Sequence, residues 1–181
     1  DALRLAHLQQ LPHLANLHEY RKLLDDLHAF LTPLSPDTIV VDAGVGQSDM
    51  TRTILVNHSY WTKQRGQSPE QAPLLIGLGR GMDQLRQARH HTSTLQRELA
   101  SGKSGGLTSI PAMRCAWMSA DWTQSLPFRS QCIHRIVCNF SLSFINSPHA
   151  TLREWMRILH PQGRVVFTSF PPDTDLSSLY R

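Results

Sequence analysis

Ile39-Val40-Val41-Asp42-Ala43-Gly44-Val45-Gly46-Gln47-Ser48-Asp49 is the stretch that decides the fold. Its β-branched opening favours a buried strand. The strand ends in the acidic Asp42 and then breaks into two alternating glycines, Gly44 and Gly46. Glycine permits φ > 0 and carries no Cβ to hold off a ligand. Ser48-Asp49 predicts a helix cap. Strand, glycine turn and helix N-terminus make the ligand-binding corner of a doubly wound α/β sheet.

Working outward, Leu14, Leu17, Tyr20, Leu24, Leu27 and Leu31 recur every three or four residues and predict an amphipathic helix before that strand. Pro33 and Pro36 punctuate the joint. Downstream, a polar loop around residues 64–69 leads to a second buried strand, Leu74-Leu75-Ile76-Gly77-Leu78, and Leu85, Ala88, Thr92, Leu95 and Leu99 form the stripe of another helix. Further strands are read at Met113–Met118, Cys132–Cys138 and Arg164–Phe170. Before the last of these, Ser147 is the predicted cap of a helix with Pro148 in its first turn, Leu152, Trp155, Met156 and Leu159 as its stripe, and Pro161-Gln162-Gly163 as its end. This β-α-β-α alternation predicts an α/β fold: a Rossmann-like, doubly wound, mostly parallel sheet in three α/β/α layers.

The 181 residues read as one domain, with a helical N-terminal segment over about 1–35 and an α/β core over about 37–171. No apolar run approaches the ~18 residues of a membrane span. Cys115, Cys132 and Cys138 lack metal-type spacing and read as thiols packed as small hydrophobes, so a cytoplasmic location and no metal are expected. The formal charge of +4 comes from scattered arginines, with Arg80, Arg86, Arg89 and Arg97 at helical spacing as a solvated face, so nucleic acid is not indicated. Ser101-Gly102-Lys103-Ser104-Gly105-Gly106 echoes a phosphate loop in composition, but follows a helix and lacks the spacing.

At this point the chain resembles the class I S-adenosylmethionine-dependent methyltransferases of the small-molecule type, over roughly residues 20–175. Val41-Asp42-Ala43-Gly44-Val45-Gly46 looks like the family's first motif, and Gly77-Leu78-Gly79-Arg80-Gly81-Met82 follows its second strand. Ala120-Asp121 leading to Leu126-Pro127-Phe128 is similar to the adenine-binding segment. Asn139-Phe140-Ser141-Leu142-Ser143-Phe144 sits at the tip of the fourth strand, and Arg157–Arg164 resembles the Arg-x-Leu-x-Pro-Gly-Gly turn.

The resemblance implies S-adenosylmethionine as cofactor, S-adenosylhomocysteine as product, and a small-molecule methyl acceptor. By analogy Gly44 and Gly46 pack against the cofactor, and Asp42 orders the loop or meets the ammonium of the tail. Asp121 accepts from the adenine amine, Trp122 covers the ring, and Asn139 and Phe140 line the mouth. Gly79 stands where the family has an acid for the ribose hydroxyls, leaving Arg80 beside it and Asp83 four residues on as the nearby substitutes. A lost charge-assisted hydrogen bond is worth about 1.5–3 kcal/mol. Ser48 replaces the motif's third glycine, with its hydroxyl expected to cap the helix; His134 replaces a common Asp and Gln162 a glycine. No general base is assigned. Family members continue past the fifth strand, so a fragment of a longer protein, or a partner supplying the last strands, is expected. The alternatives are a non-catalytic methyltransferase-like binding or scaffold domain, and a nicotinamide-dependent dehydrogenase. The latter should show Gly-x-Gly-x-x-Gly and an acid on the second strand.

Overall fold

The computed structural model describes residues 18–65, 72–100, 113–145 and 147–170. Helix α1 (His18–Leu31) leads into β1 (Ile39–Ala43), α2 (Asp49–Arg65), β2 (Leu74–Gly79), α3 (Met82–Ala100), β3 (Arg114–Ser119) and β4 (Ile133–Cys138). A 3₁₀ turn (Ser141–Phe144), α4 (Pro148–Ile158) and β5 (Leu159–Phe167) complete the order. Leu14, Leu17, the loop past Arg65, the segment 101–106 and the end from Asp173 fall outside the described residues.

All strand pairings are parallel, in the order β3-β2-β1-β4-β5. The carboxyl ends of the strands therefore share one edge, and the chain leaves β1 and β4 in opposite directions across the sheet. That crevice is where open α/β sheets bind ligands.

Period-2 alternation distributes the core between two faces. Val40, Leu75 and Val137 pack against Leu24, Leu27 and Leu31 of α1 and Met50, Ile54 and Leu55 of α2. Val41, Ala43, Ile76, Leu78, Ile136 and Cys138 face Trp155 and Ile158 of α4, with Trp122 and Leu126 from the β3–β4 connection. That connection is held by α4: Leu126 N–H donates to Glu154 Oε1 at 2.8 Å, and Arg157 Nη2 donates to Leu126 O at 3.2 Å and Phe128 O at 3.0 Å.

Two expectations need correction. Pro161-Gln162-Gly163 does not end α4; the helix stops at Ile158 and these residues lie inside β5, which starts at Leu159. Leu159 is already extended (φ −71°, ψ 130°), and His160 precedes a proline, which disfavours helical backbone there. The extra residues are absorbed as an irregularity, with Ile133 opposite Leu159 but Arg135 opposite Arg164. Ser147 is the N-cap residue of α4 as expected, yet its side chain makes no capping hydrogen bond.

Candidate functional site

The β1–α2 turn is built as its glycines require. Gly44 has φ +80° and Gly46 φ +47°. A Cβ on Gly44 would meet Ser141 Oγ at 2.5 Å and Trp122 Cζ2 at 3.2 Å, so glycine is needed for both conformation and space. A Cβ on Gly46 meets only the loop's own Gly44 O, at 3.7 Å. The backbone there is bare towards a cavity of about 190 Å³ at the carboxyl edge of the sheet. Gly44 and Val45 N–H both donate to Leu78 O, tying the turn to β2.

Ser48 corrects another expectation. It sits at φ +67°, taking the left-handed conformation of the glycine it replaces, and its buried Oγ has no hydrogen-bond partner. In that conformation its carbonyl accepts from Arg52 N–H at 2.8 Å, while its hydroxyl caps nothing. Helix α2 begins one residue later, at Asp49.

A polar network lines the cavity beside the turn. Asp42 is buried, and Thr51 Oγ1 donates to its Oδ2 at 2.6 Å. Burial pushes the Asp42 pKa up to about 6, with the nearby Asp49 adding to the rise and Thr51 opposing it. Asp49 is itself raised, chiefly by burial. Tyr20 of α1 reaches in: its hydroxyl donates to Asp49 Oδ2 at 3.4 Å and accepts from Asn139 Nδ2 at 3.0 Å. Burial, and then the Asp49 charge, keep the Tyr20 phenol protonated well above its usual range. Asn139 Oδ1 accepts from Thr168 Oγ1 at 2.8 Å, so both ends of that amide are fixed.

The other end of the cavity is different. A Cβ on Gly79 would meet Leu85 Cδ2 at 3.2 Å and Val45 Cγ1 at 3.5 Å, so a side chain there would have to press Leu85 aside by a few tenths of an ångström. Arg80 does not stand on the solvated face of α3, as its spacing suggests: it precedes that helix and lines the cavity, its guanidinium carbon 5.7 Å from the Trp122 ring. Its Nε donates to Asp121 Oδ1 at 3.0 Å and its Nη2 to Thr123 Oγ1 at 3.1 Å. Burial slightly opposes ionisation of Asp121, but hydrogen bonds from Thr123 and the Arg80 charge outweigh it and hold the carboxyl below its usual value. Asp83 turns outward to Arg86 at 2.9 Å, so it does not substitute for the missing acid.

Of the residues singled out from sequence, Asp42, Gly44, Gly46, Gly79, Arg80, Trp122 and Asn139 line this one cavity. Asp121 does not; it stands exposed at the rim. Sequence reasoning missed Tyr20, read only as part of an apolar stripe, Asp49, read only as a cap, and Phe144 and Phe170, which also line the cavity. The aromatic residue in an otherwise leucine-rich stripe was the one available signal for Tyr20. Among the described residues no group of His, Cys, Asp and Glu could hold a metal ion, and no helix is long and apolar enough to cross a membrane.

Comparison with known proteins agrees with this geometry. Among solved structures, an S-adenosylmethionine-dependent methyltransferase from Aquifex aeolicus superposes with a TM-score of 0.56 at 14% identity, covering 96% of this chain and 77% of its own. A geranyl diphosphate methyltransferase in complex with S-adenosylmethionine gives 0.55 at 20% identity, with 84% of this chain and 50% of that one covered. The [4+2]-cyclase SpnF gives 0.58 at 19% identity, with 86% and 48% covered. The chain thus spans about half the length of the latter two, and identities this low establish the fold alone. No curated protein matches the sequence. The methyltransferase domain model matches residues 76–167, half of the chain, and with the cavity at the carboxyl edge of its parallel sheet this protein belongs to the methyltransferase domain family.

Proposed function

We propose that this chain is the cofactor-binding core of an S-adenosylmethionine-dependent methyltransferase acting on a small-molecule acceptor. The observation that carries this reading is the turn at Gly44 and Gly46, both at positive φ and with open space beside Gly46, next to the buried Asp42 carboxylate in the sheet-edge cavity of a methyltransferase-family domain.

The residues fit the amino-acid end of S-adenosylmethionine best. Gly46 lets backbone approach the tail, Gly44 makes room for Ser141 and Trp122 behind it, and Asp42 with Asp49 supplies negative charge for the ammonium and for the sulfonium. Trp122 offers an aromatic surface for the adenine, and Asp121 supports that end from the rim through Arg80 and Thr123. Gly79 leaves the ribose without a carboxylate, and Arg80 and Gln84 are the polar side chains lining that end that could donate to its hydroxyls.

When bound, the cofactor supplies an electrophilic methyl on a positively charged sulfur; the acceptor's lone pair forms the new bond as the carbon–sulfur pair stays on sulfur. Positioning and water exclusion carry most of such a reaction. Asn139, locked by Tyr20 and Thr168, is the polar group at the mouth, and Phe140, Phe144 and Phe170 keep it dry.

Calorimetric titration with S-adenosylhomocysteine, with NAD as control, tests the reading. Saturable micromolar binding of the first alone is expected. No binding at millimolar concentration overturns the cofactor reading.

A further inference from the structure

The end of the cavity at the β4 and β5 tips is aromatic and held in place at some cost. Phe140 adopts φ 57°, ψ −15°, the left-handed region that a bulky residue rarely occupies. Such a conformation is unfavourable and persists only where surrounding bonds over-determine it. Here they do. Phe140 N–H donates to Thr168 Oγ1 at 2.8 Å, the same hydroxyl that donates to Asn139, and Ser143 N–H closes on Phe140 O at 3.1 Å. Phe170 N–H donates to Ser143 Oγ at 3.0 Å, and the Ser143 and Ser169 hydroxyls lie 3.0 Å apart.

The result is a ring assembly facing the cavity. Phe140 and Phe170 stack with centroids 4.5 Å apart and planes 17° from parallel, and Phe144 meets Phe170 edge-on at 6.2 Å. Flat aromatic surfaces of this kind favour offset or edge contact with another flat ring. Among the described residues the charged groups lining the cavity are Asp42, Asp49 and Arg80, and Arg80 is already paired with Asp121 beside Trp122. An anionic ligand on the phenylalanine wall would therefore share the cavity with two carboxylates and, among the described residues, one cation that already has a partner, so its desolvation cost is poorly repaid.

We infer that the methyl acceptor is an uncharged, planar aromatic molecule, seated on the Phe140–Phe144–Phe170 wall with its nucleophilic atom towards Asn139 Nδ2. This rests on the methyltransferase reading for the word acceptor; the preference for a neutral ring is a property of the wall itself. Asn139 Nδ2 gives one N–H to the Tyr20 hydroxyl at 3.0 Å, and its second N–H is the donor beside the wall for a phenol-like or aniline-like atom.

The test uses the whole chain and two probes of equal size, 2-naphthol and 2-naphthoate, titrated at pH 7.5 by calorimetry with and without saturating S-adenosylhomocysteine. 2-Naphthol is expected to bind saturably, at least about tenfold more tightly than the anion. Phe170→Ala and, separately, Phe144→Ala should each weaken 2-naphthol about tenfold while near-ultraviolet circular dichroism retains the native signature. Equal binding of the two probes, no binding of 2-naphthol, or indifference of the folded variants overturns the inference. Failure of S-adenosylhomocysteine to bind, with the naphthol preference and its phenylalanine dependence intact, overturns the cofactor reading and leaves the aromatic site standing.

Discussion

The two ends of the cavity hang from neighbouring strands, yet they have diverged in opposite ways. At the β1 end, on the proposed cofactor reading, Asp42, Gly44 and Gly46 offer the backbone and charge that a zwitterionic tail requires, and Tyr20, Asp49, Thr51 and Asn139 are bonded around them. At the β2 end there is a glycine instead of an acid, Leu85 and Val45 crowd the space beside Gly79, and the nearby arginine is paired with Asp121. The difference teaches that local backbone demands are harder to trade than single side-chain contacts. A positive φ admits few residues. A hydrogen-bonding acid can be replaced by packing for a loss of about 1.5–3 kcal/mol.

The largest expected effect breaks the β1 end. Gly44→Ala forces a Cβ against Ser141 at a positive φ; it should cost about 2–4 kcal/mol in urea denaturation and abolish S-adenosylhomocysteine binding. An unchanged midpoint would mean that the turn is not rigid.

Asp42→Asn should weaken S-adenosylhomocysteine about tenfold at pH 7.5, since one carboxylate facing an ammonium is lost. In the wild type, affinity should fall as pH drops through about 6, because protonation removes that charge, and the variant should show no such fall. Stability runs the other way. With a folded pKa of about 6 against 3.8 unfolded, the folded state holds this proton more tightly, so this group's contribution declines as pH rises from 3.8 to about 6. Chemical denaturation across that window should show the decline flattened in Asp42→Asn.

The β2 end is sharpened by Gly79→Asp. If the ribose lies there, binding should tighten by up to about tenfold, at a stability cost near 1 kcal/mol as Leu85 gives way. No gain in affinity would place the ribose elsewhere. Ser48→Gly should stabilise by about 1 kcal/mol in the same denaturation assay, relieving a left-handed non-glycine residue and deleting a buried hydroxyl without a partner. The smallest effect is Asp121→Ala. Its carboxylate sits outside the cavity in an exposed ion pair, and such pairs contribute about 0–1 kcal/mol, so affinity measured by titration should change by no more than about threefold.

Some of this was legible in the chain and some was not. The strand, the glycine turn and the start of α2 near Asp49 are local consequences of β-branching, positive φ and chain direction, and they emerged where residues 39–49 predict them. The alternation of strands and helices follows from hydrophobic period, so the α/β class and the parallel sheet were also open to reading. Turn chemistry was less secure: Ser48 carries the sequence of a cap, but the conformation inherited from a glycine position turned its hydroxyl away from that role.

By itself the sequence determined the elements, their order and the bare backbone at the tip of β1. Only the tertiary structure decided which side chains meet there. Tyr20 finds Asn139 across 119 positions of sequence, Arg80 finds Asp121 across 41, and Leu85 crowds the space beside Gly79. Backbone preference acts over neighbouring residues, whereas contact depends on how helices dock on the two faces of a finished sheet. No spacing along the chain encodes that directly.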